Sequence, residues 1–273
     1  MIEIKSSLHN HTTLCDGQAT PDELVRAAIN EGLSDIGISG HSLAPFDIEY
    51  SIKNEDEYIS AINACKENFC SQIRVWCGIE QDFLAPCAKR EEFDYMIGSV
   101  HYMKSPSSEK YYSIDGSLQS ISSIRDELFG GNGIALCKEY YRLVCENVLT
   151  YHPDIIGHFD LITKYNGRGI IFDEDSKAYQ NAAIEALEVC CKAGGIFELN
   201  TGAIRRGARS IPYPAPFLLK ELRRLSGRVI LSSDCHHRDG LCFNFDNALA
   251  ILSNAGFRSV CVFENGTFVE KGI

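Results

Sequence analysis

The sequence predicts one α/β domain, a barrel of parallel strands wrapped in helices, and three observations point there. Apolar strand signals and amphipathic helix signals alternate along the chain, as parallel strands covered on both faces require. With 273 residues, 45% of them hydrophobic, the chain matches one barrel of ~250 residues and can bury a full core. Side chains able to do chemistry recur just past successive strands, the end at which such barrels carry their active sites. A single domain over residues 1–273 is expected.

The first strand is expected over 4–8. Thr20-Pro21-Asp22-Glu23 then combines an N-cap, a proline at the first helical position and a capping-box glutamate, so a helix starts there and stops at Gly32. A second strand over 35–39 and a helix over 55–71 follow. Third and fourth strands are expected over 73–79 and 95–99, and a fifth, sixth and seventh over 155–157, 196–199 and 229–231. Helical periodicity covers 138–149, 174–193 and 216–225. Residues 104–132 are the least regular stretch. There Ser-Pro-Ser-Ser and Gly-Gly-Asn-Gly flank Tyr111, Tyr112 and Asp115, which reads either as a lid over the site or as a surface loop.

The net charge of −11 disfavours a nucleic-acid polymer, whose affinity rests on many lysines and arginines facing phosphates. A small anionic substrate needs only a local pocket of cations. The N-terminal residues lack the basic flank and apolar stretch of a signal peptide, and no run reaches the ~20 apolar residues of a membrane span, so a soluble cytoplasmic protein is expected. The 12 cysteines are scattered without a Cys-x-x-Cys pair, and reduced, mostly buried thiols are expected, Cys15 and Cys235 included. Oligomeric state is not legible.

Six of the eight histidines, with three carboxylates, follow separate strands: His9 and His11 in Leu8-His9-Asn10-His11, then Asp16, His41, Glu80, His101, His158, Asp234 and His236. Imidazoles at i and i+2 on an extended segment face one side, so His9 and His11 can share an ion. Asp16 before Gly17 reads alone as a turn former, whereas Glu80 ends an apolar strand, where an unpaired charge would be costly. Nine nitrogen and oxygen donors exceed one tetrahedral site and suit two to three borderline divalent ions, zinc, manganese or iron. His152 and His237 do not fit the pattern. Asp160, two residues beyond His158, is expected on its side of the chain, as a ligand-orienting group, a proton donor or a turn cap.

The succession His-x-His, Asp-Gly, Gly-His-Ser, a glutamate ending the third strand, Gly-Ser-Val-His, His-x-Asp and Asp-x-His resembles the polymerase and histidinol phosphatase (PHP) family, from Leu8 to about His236. The resemblance implies a distorted seven-stranded β/α barrel with a trinuclear centre. His9, His11, Glu80 and Asp234 would hold the first ion, Glu80 would bridge to a second on His101 and His158, and Asp16, His41 and His236 would hold the third. Glu198-Leu199-Asn200-Thr201-Gly202-Ala203-Ile204-Arg205-Arg206, followed by Pro212-Tyr213-Pro214, is similar to the branch that hydrolyses L-histidinol phosphate in histidine biosynthesis. It implies that Arg205, rather than Arg206, grips the phosphate, with Lys164 as a second basic contact.

The resulting expectation is a metal-dependent phosphomonoesterase acting on a small phosphorylated substrate. Asp234 would orient the attacking water, Arg205 and Lys164 would neutralise the phosphoryl oxygens, a metal-bound water or Asp160 would protonate the leaving group, and Asp115 would help bind substrate. Alternatives are a phosphatase for nucleotides or nucleoside bisphosphates, an amidohydrolase, and a metal-stabilised barrel without activity. An amidohydrolase often carries a carboxylated lysine after the fourth strand, where this chain has Ser99-Val100-His101.

Overall fold

The computed structural model describes residues 2–273. In chain order its elements are β1 (Ser6–Ser7), α1 (Pro21–Asn30), β2 (Asp35–His41), α2 (Glu55–Phe69), β3 (Arg74–Asp82), β4 (Tyr95–Ser99), β5 (Tyr102–Lys104), β6 (Tyr111–Ser113), α3 (Leu118–Phe129) and α4 (Gly133–Tyr151). They continue with β7 (Ile155–Ile156), α5 (Lys177–Ala193), β8 (Ile196–Asn200), α6 (Gly202–Arg205), α7 (Pro216–Arg224), β9 (Arg228–Ser232), α8 (Phe245–Asn254), β10 (Ser259–Glu264) and β11 (Thr267–Gly272).

The main sheet runs β1-β2-β3-β4-β7-β8-β9-β10-β11 and is parallel up to β10, with β11 antiparallel at its edge. All seven expected strands are present, and the C-terminal hairpin β10–β11 adds two. The sheet curls until its ends approach each other. Beyond β1, the His11 amide donates to the Cys235 carbonyl at 2.8 Å and the Cys235 amide to the His9 carbonyl at 3.1 Å. The Phe263 amide in β10 donates to Ser6 Oγ in β1 at 3.3 Å.

Alternate side chains turn inward, as the two-residue strand period requires. Leu8, Tyr95, Ile97, Ile155, Ile196, Ile230, Cys261 and Phe263 fill the interior, while two larger apolar clusters lie beneath the helices. Tyr95 spans the interior and donates its hydroxyl proton to the Leu8 carbonyl. It fits only because β3 has no side chain at Gly78, where a Cβ would lie 2.2 Å from the ring.

Helix α1 starts as the sequence predicts. Thr20 Oγ1 accepts from the Glu23 amide, Glu23 Oε2 accepts from the Thr20 amide, and Pro21 occupies the first turn. The 104–132 insertion is mostly ordered: β5 and β6 form a hairpin, then α3 follows. Phe46 stacks on Tyr111 at 3.9 Å, and Tyr102 donates to Asp47 at 2.9 Å, which ties the hairpin to the loop after β2. All 12 cysteines are free. Among the described residues no helix is long and apolar enough to cross a membrane.

Candidate metal centre

The parallel register brings the proposed donors to one end of the barrel. His41 closes β2 directly opposite Glu80 in β3, and His101 and His158 follow β4 and β7. Asn10, between His9 and His11, points the other way and donates to the Ser7 carbonyl at 3.0 Å and the Gly37 carbonyl at 2.8 Å, so the two imidazoles share one side. Gly17 lets the next loop close on this segment, since a Cβ there would lie 2.4 Å from the His11 carbonyl carbon. That approach delivers Asp16.

Glu80 sits at the middle. Its Oε2 lies 3.1 Å from His9 Nε2, 3.4 Å from His11 Nε2 and 3.0 Å from His41 Nδ1. Its Oε1 lies 2.9 Å from His158 Nε2 and 3.3 Å from His101 Nε2. Asp234 Oδ1 is 3.7 Å from His9 Nε2 and 3.4 Å from His11 Nε2. Asp16 reaches His41 Nε2 at 3.7 Å and His236 Nε2 at 3.1 Å. All nine donors therefore meet in one cluster, in which Asp16, His41 and His236 lie together and His41, Glu80 and His101 form an adjoining group.

The residues fit metal ions. His9 Nε2, His11 Nε2, His41 Nε2, Asp16 Oδ1 and Glu80 Oε2 are buried and have no hydrogen-bond partner, although nitrogens and oxygens lie a little over 3 Å apart. Buried polar atoms are otherwise almost always paired, so five unpaired atoms facing a shared centre are what a coordination shell leaves. His158 Nε2, by contrast, meets Glu80 Oε1 at 2.9 Å, and His236 Nε2 meets Asp16 Oδ2 at 3.1 Å. Burial alone would raise the Glu80 carboxyl, but His9, His41 and His101 hold it well below the usual carboxylate range. Against the same effect of burial, Arg206 and His9 do so for Asp234. Both carboxylates are thus ionised and ready to ligate.

Glu198, which the sequence reading quoted within a motif but gave no role, touches two of the donors. His9 Nδ1 donates to its Oε1 at 2.5 Å and the His158 amide to its Oε2 at 2.8 Å, so one carboxylate orients the imidazole of one ligand and the backbone of another. Its signal was a lone charge in the apolar strand Ile196-Phe197-Glu198-Leu199. Tyr50 was also missed; its ring stacks on His41 at 4.1 Å. Cys15 is not a donor to the cluster's centre, but its Sγ lies 3.6 Å from His11 Nδ1.

A cavity of about 550 Å³ opens over the cluster, lined by Tyr50, Tyr102, Asp115, Lys164, Tyr165 and Arg206 among others. Asp115 and Lys164, both expected at the site, line this cavity. Two other expectations are corrected. The Arg205 guanidinium turns away to Asp239 and over the Phe243 ring, and the arginine in the cavity is Arg206, with Nη2 2.8 Å from Asp234 Oδ2. The two are adjacent at the end of α6, where successive side chains diverge by ~100°, so only one can face the ions. Asp160 is fully buried outside the cavity and accepts from the Ala215 amide at 3.0 Å. The chain leaves extended geometry there, at φ −111°, ψ 38°, and the alternation that would align it with His158 ends. Burial pushes its carboxyl up to about 7 despite Arg209 nearby.

Comparison with known proteins agrees with this geometry. The PHP domain family model matches residues 7–202, which carry seven of the nine donors. A Deinococcus radiodurans protein named probable histidinol-phosphatase is 30% identical over 92% of this chain and 94% of its own. A Schizosaccharomyces pombe protein of the same name is 26% identical over 98% and 93%. The fold matches, with a TM-score of 0.71 and 22% identity over 97% of this chain and 98% of the other, the crystal structure of a Lactococcus lactis histidinol phosphate phosphatase complexed with zinc, L-histidinol and phosphate. A curled parallel sheet, nine donors at its C-terminal end and this sequence match identify the chain as a member of the PHP domain family, in its histidinol-phosphatase branch.

Proposed function

We propose that this metal-dependent phosphatase hydrolyses L-histidinol phosphate to L-histidinol and inorganic phosphate, with two to three divalent ions held by the nine donors. The observation that carries the reading is the convergence of seven of those donors with two cationic side chains, Arg206 and Lys164, on one cavity. Phosphoryl transfer asks a protein mainly to position reactants and to neutralise charge on the phosphoryl oxygens, and this cavity is built for both. Relatives that match nearly the full length of the chain bear the same functional name.

His9, His11, Glu80 and Asp234 would hold one ion, Glu80, His101 and His158 a second, and Asp16, His41 and His236 a third. Bound divalent ions lower the pKa of water to about 7 and so supply a nucleophile at neutral pH. Asp234, held from behind by Arg206, orients the water for in-line attack. Arg206 presents its remaining guanidinium donors to the phosphoryl oxygens, and Lys164 supplies a second positive charge. The leaving oxygen takes its proton from water in the cavity, whose walls include Tyr50, Tyr102 and Tyr165. The net charge of −11 suits a cationic leaving group better than a polynucleotide.

The test is a side-by-side kinetic assay. L-histidinol phosphate should turn over with kcat/KM at least ~10-fold above mononucleotides, a preference of only ~1.4 kcal/mol. Comparable or faster turnover of mononucleotides would replace the substrate assignment with a nucleotide phosphatase.

A further inference from the structure

Lys164 reaches a phosphate only by leaving a partner. Its Nζ lies 2.9 Å from Asp115 Oδ2, and the two side chains are only 13% and 10% exposed. Asp115 comes from the insertion after β4 and Lys164 from the turn after β7, and both line the cavity over the metal ligands. Ser113 Oγ donates to the other Asp115 oxygen at 3.3 Å, and Tyr165 donates to the Gly116 carbonyl at 3.3 Å, so if Lys164 moves the carboxylate keeps one partner and the backbone beside it stays tied.

Separating a buried ion pair strands one charge away from water, which is strongly unfavourable. A phosphate that draws Lys164 to itself would leave Asp115 unpaired. A phosphate that leaves Lys164 in place must share one cation with a carboxylate. Neither penalty applies to a ligand that brings its own cation.

Building on the phosphatase reading above, we propose that Asp115 determines specificity by exchange. It accepts the protonated amine of the substrate while Lys164 passes to the phosphoryl oxygens, so that one ion pair becomes two. The favoured substrates are phosphate monoesters with an ammonium group a few bonds from the ester oxygen. Esters lacking that cation are disfavoured even though the metal ions and Arg206 bind them equally well. The cavity's other free-standing carboxylates do not fit the role. Asp47 accepts from the Tyr102 hydroxyl at 2.9 Å, and Glu49 is exposed, where an ion pair contributes little.

The experiment compares kcat/KM for L-histidinol phosphate with that for its des-amino analogue in wild type, Asp115→Asn and Lys164→Met. Wild type should prefer the amine by about 100-fold or more, the scale of one stranded buried charge. In Asp115→Asn the ratio should fall to within about threefold, a change that general loss of activity would not produce. In Lys164→Met the ratio should rise, because Asp115 is then already unpaired and gains most from the ammonium. A ratio that survives Asp115→Asn, or that Lys164→Met leaves unchanged, overturns the exchange while the phosphatase reading stands. Failure of wild type to hydrolyse either ester overturns that reading and the exchange with it.

Discussion

Arg206 Nη2 lies 2.8 Å from Asp234 Oδ2, while Asp234 Oδ1 faces His9, His11 and His236. One carboxylate therefore joins the cavity's arginine to the proposed metal ligands. Arg206→Ala should lower kcat/KM for phosphate monoesters by about 10² or more, the scale of a lost oxyanion contact. Arg206→Lys should recover only part of it, since an ammonium cannot span both partners with a planar fork. Arg205→Ala should stay within about threefold of wild type, because Arg205 pairs with Asp239 outside the cavity. Steady-state kinetics on the three variants checks this, and the reverse ranking would put the phosphate contact on Arg205.

Glu80 places one oxygen toward His9, His11 and His41 and the other toward His101 and His158. Glu80→Gln should therefore reduce metal content by at least one ion per chain and lower activity by more than the ~10–100-fold that loss of an outer partner causes. Elemental analysis alongside kinetics reads both. Unchanged metal content with full activity would exclude Glu80 as the bridge.

Glu198 touches ligands rather than the centre, so its loss should be milder. Glu198→Gln should weaken metal affinity or activity by about 10–100-fold, with recovery at higher metal concentration. A metal titration followed by activity measures it; no shift would mean that His9 is held by packing alone.

Gly78→Ala tests the barrel rather than the site. The added Cβ would meet the buried Tyr95 ring, which is tied to Leu8 and cannot swing aside, so a loss of about 1–3 kcal/mol and a Tm lower by several degrees are expected. Thermal unfolding at fixed metal concentration would show it.

The donor cluster was legible because its members, apart from Asp16 in a turn, end or closely follow apolar strands, where burial without a partner is costly, and the parallel register then sends all strand ends to one place. The same logic would have found Glu198 in β8. The C-terminal hairpin carried a plain signal as well: Asn265-Gly266 between two apolar runs, both residues at positive φ, as a two-residue hairpin turn requires. The choice between Arg205 and Arg206 was not legible. It depends on the phase of one helical turn, α6, which neighbouring residues of the same type do not reveal. The position of Asp160 likewise turned on where the chain leaves the extended conformation.

The central claim, a phosphatase that works through bound metal, is tested most directly by release of inorganic phosphate from L-histidinol phosphate before and after chelation. The account predicts release by the purified protein, its loss when a strong chelator strips the ions, and its return when zinc, manganese or iron is restored. Phosphate release that continues undiminished in protein shown by elemental analysis to be free of metal would contradict it.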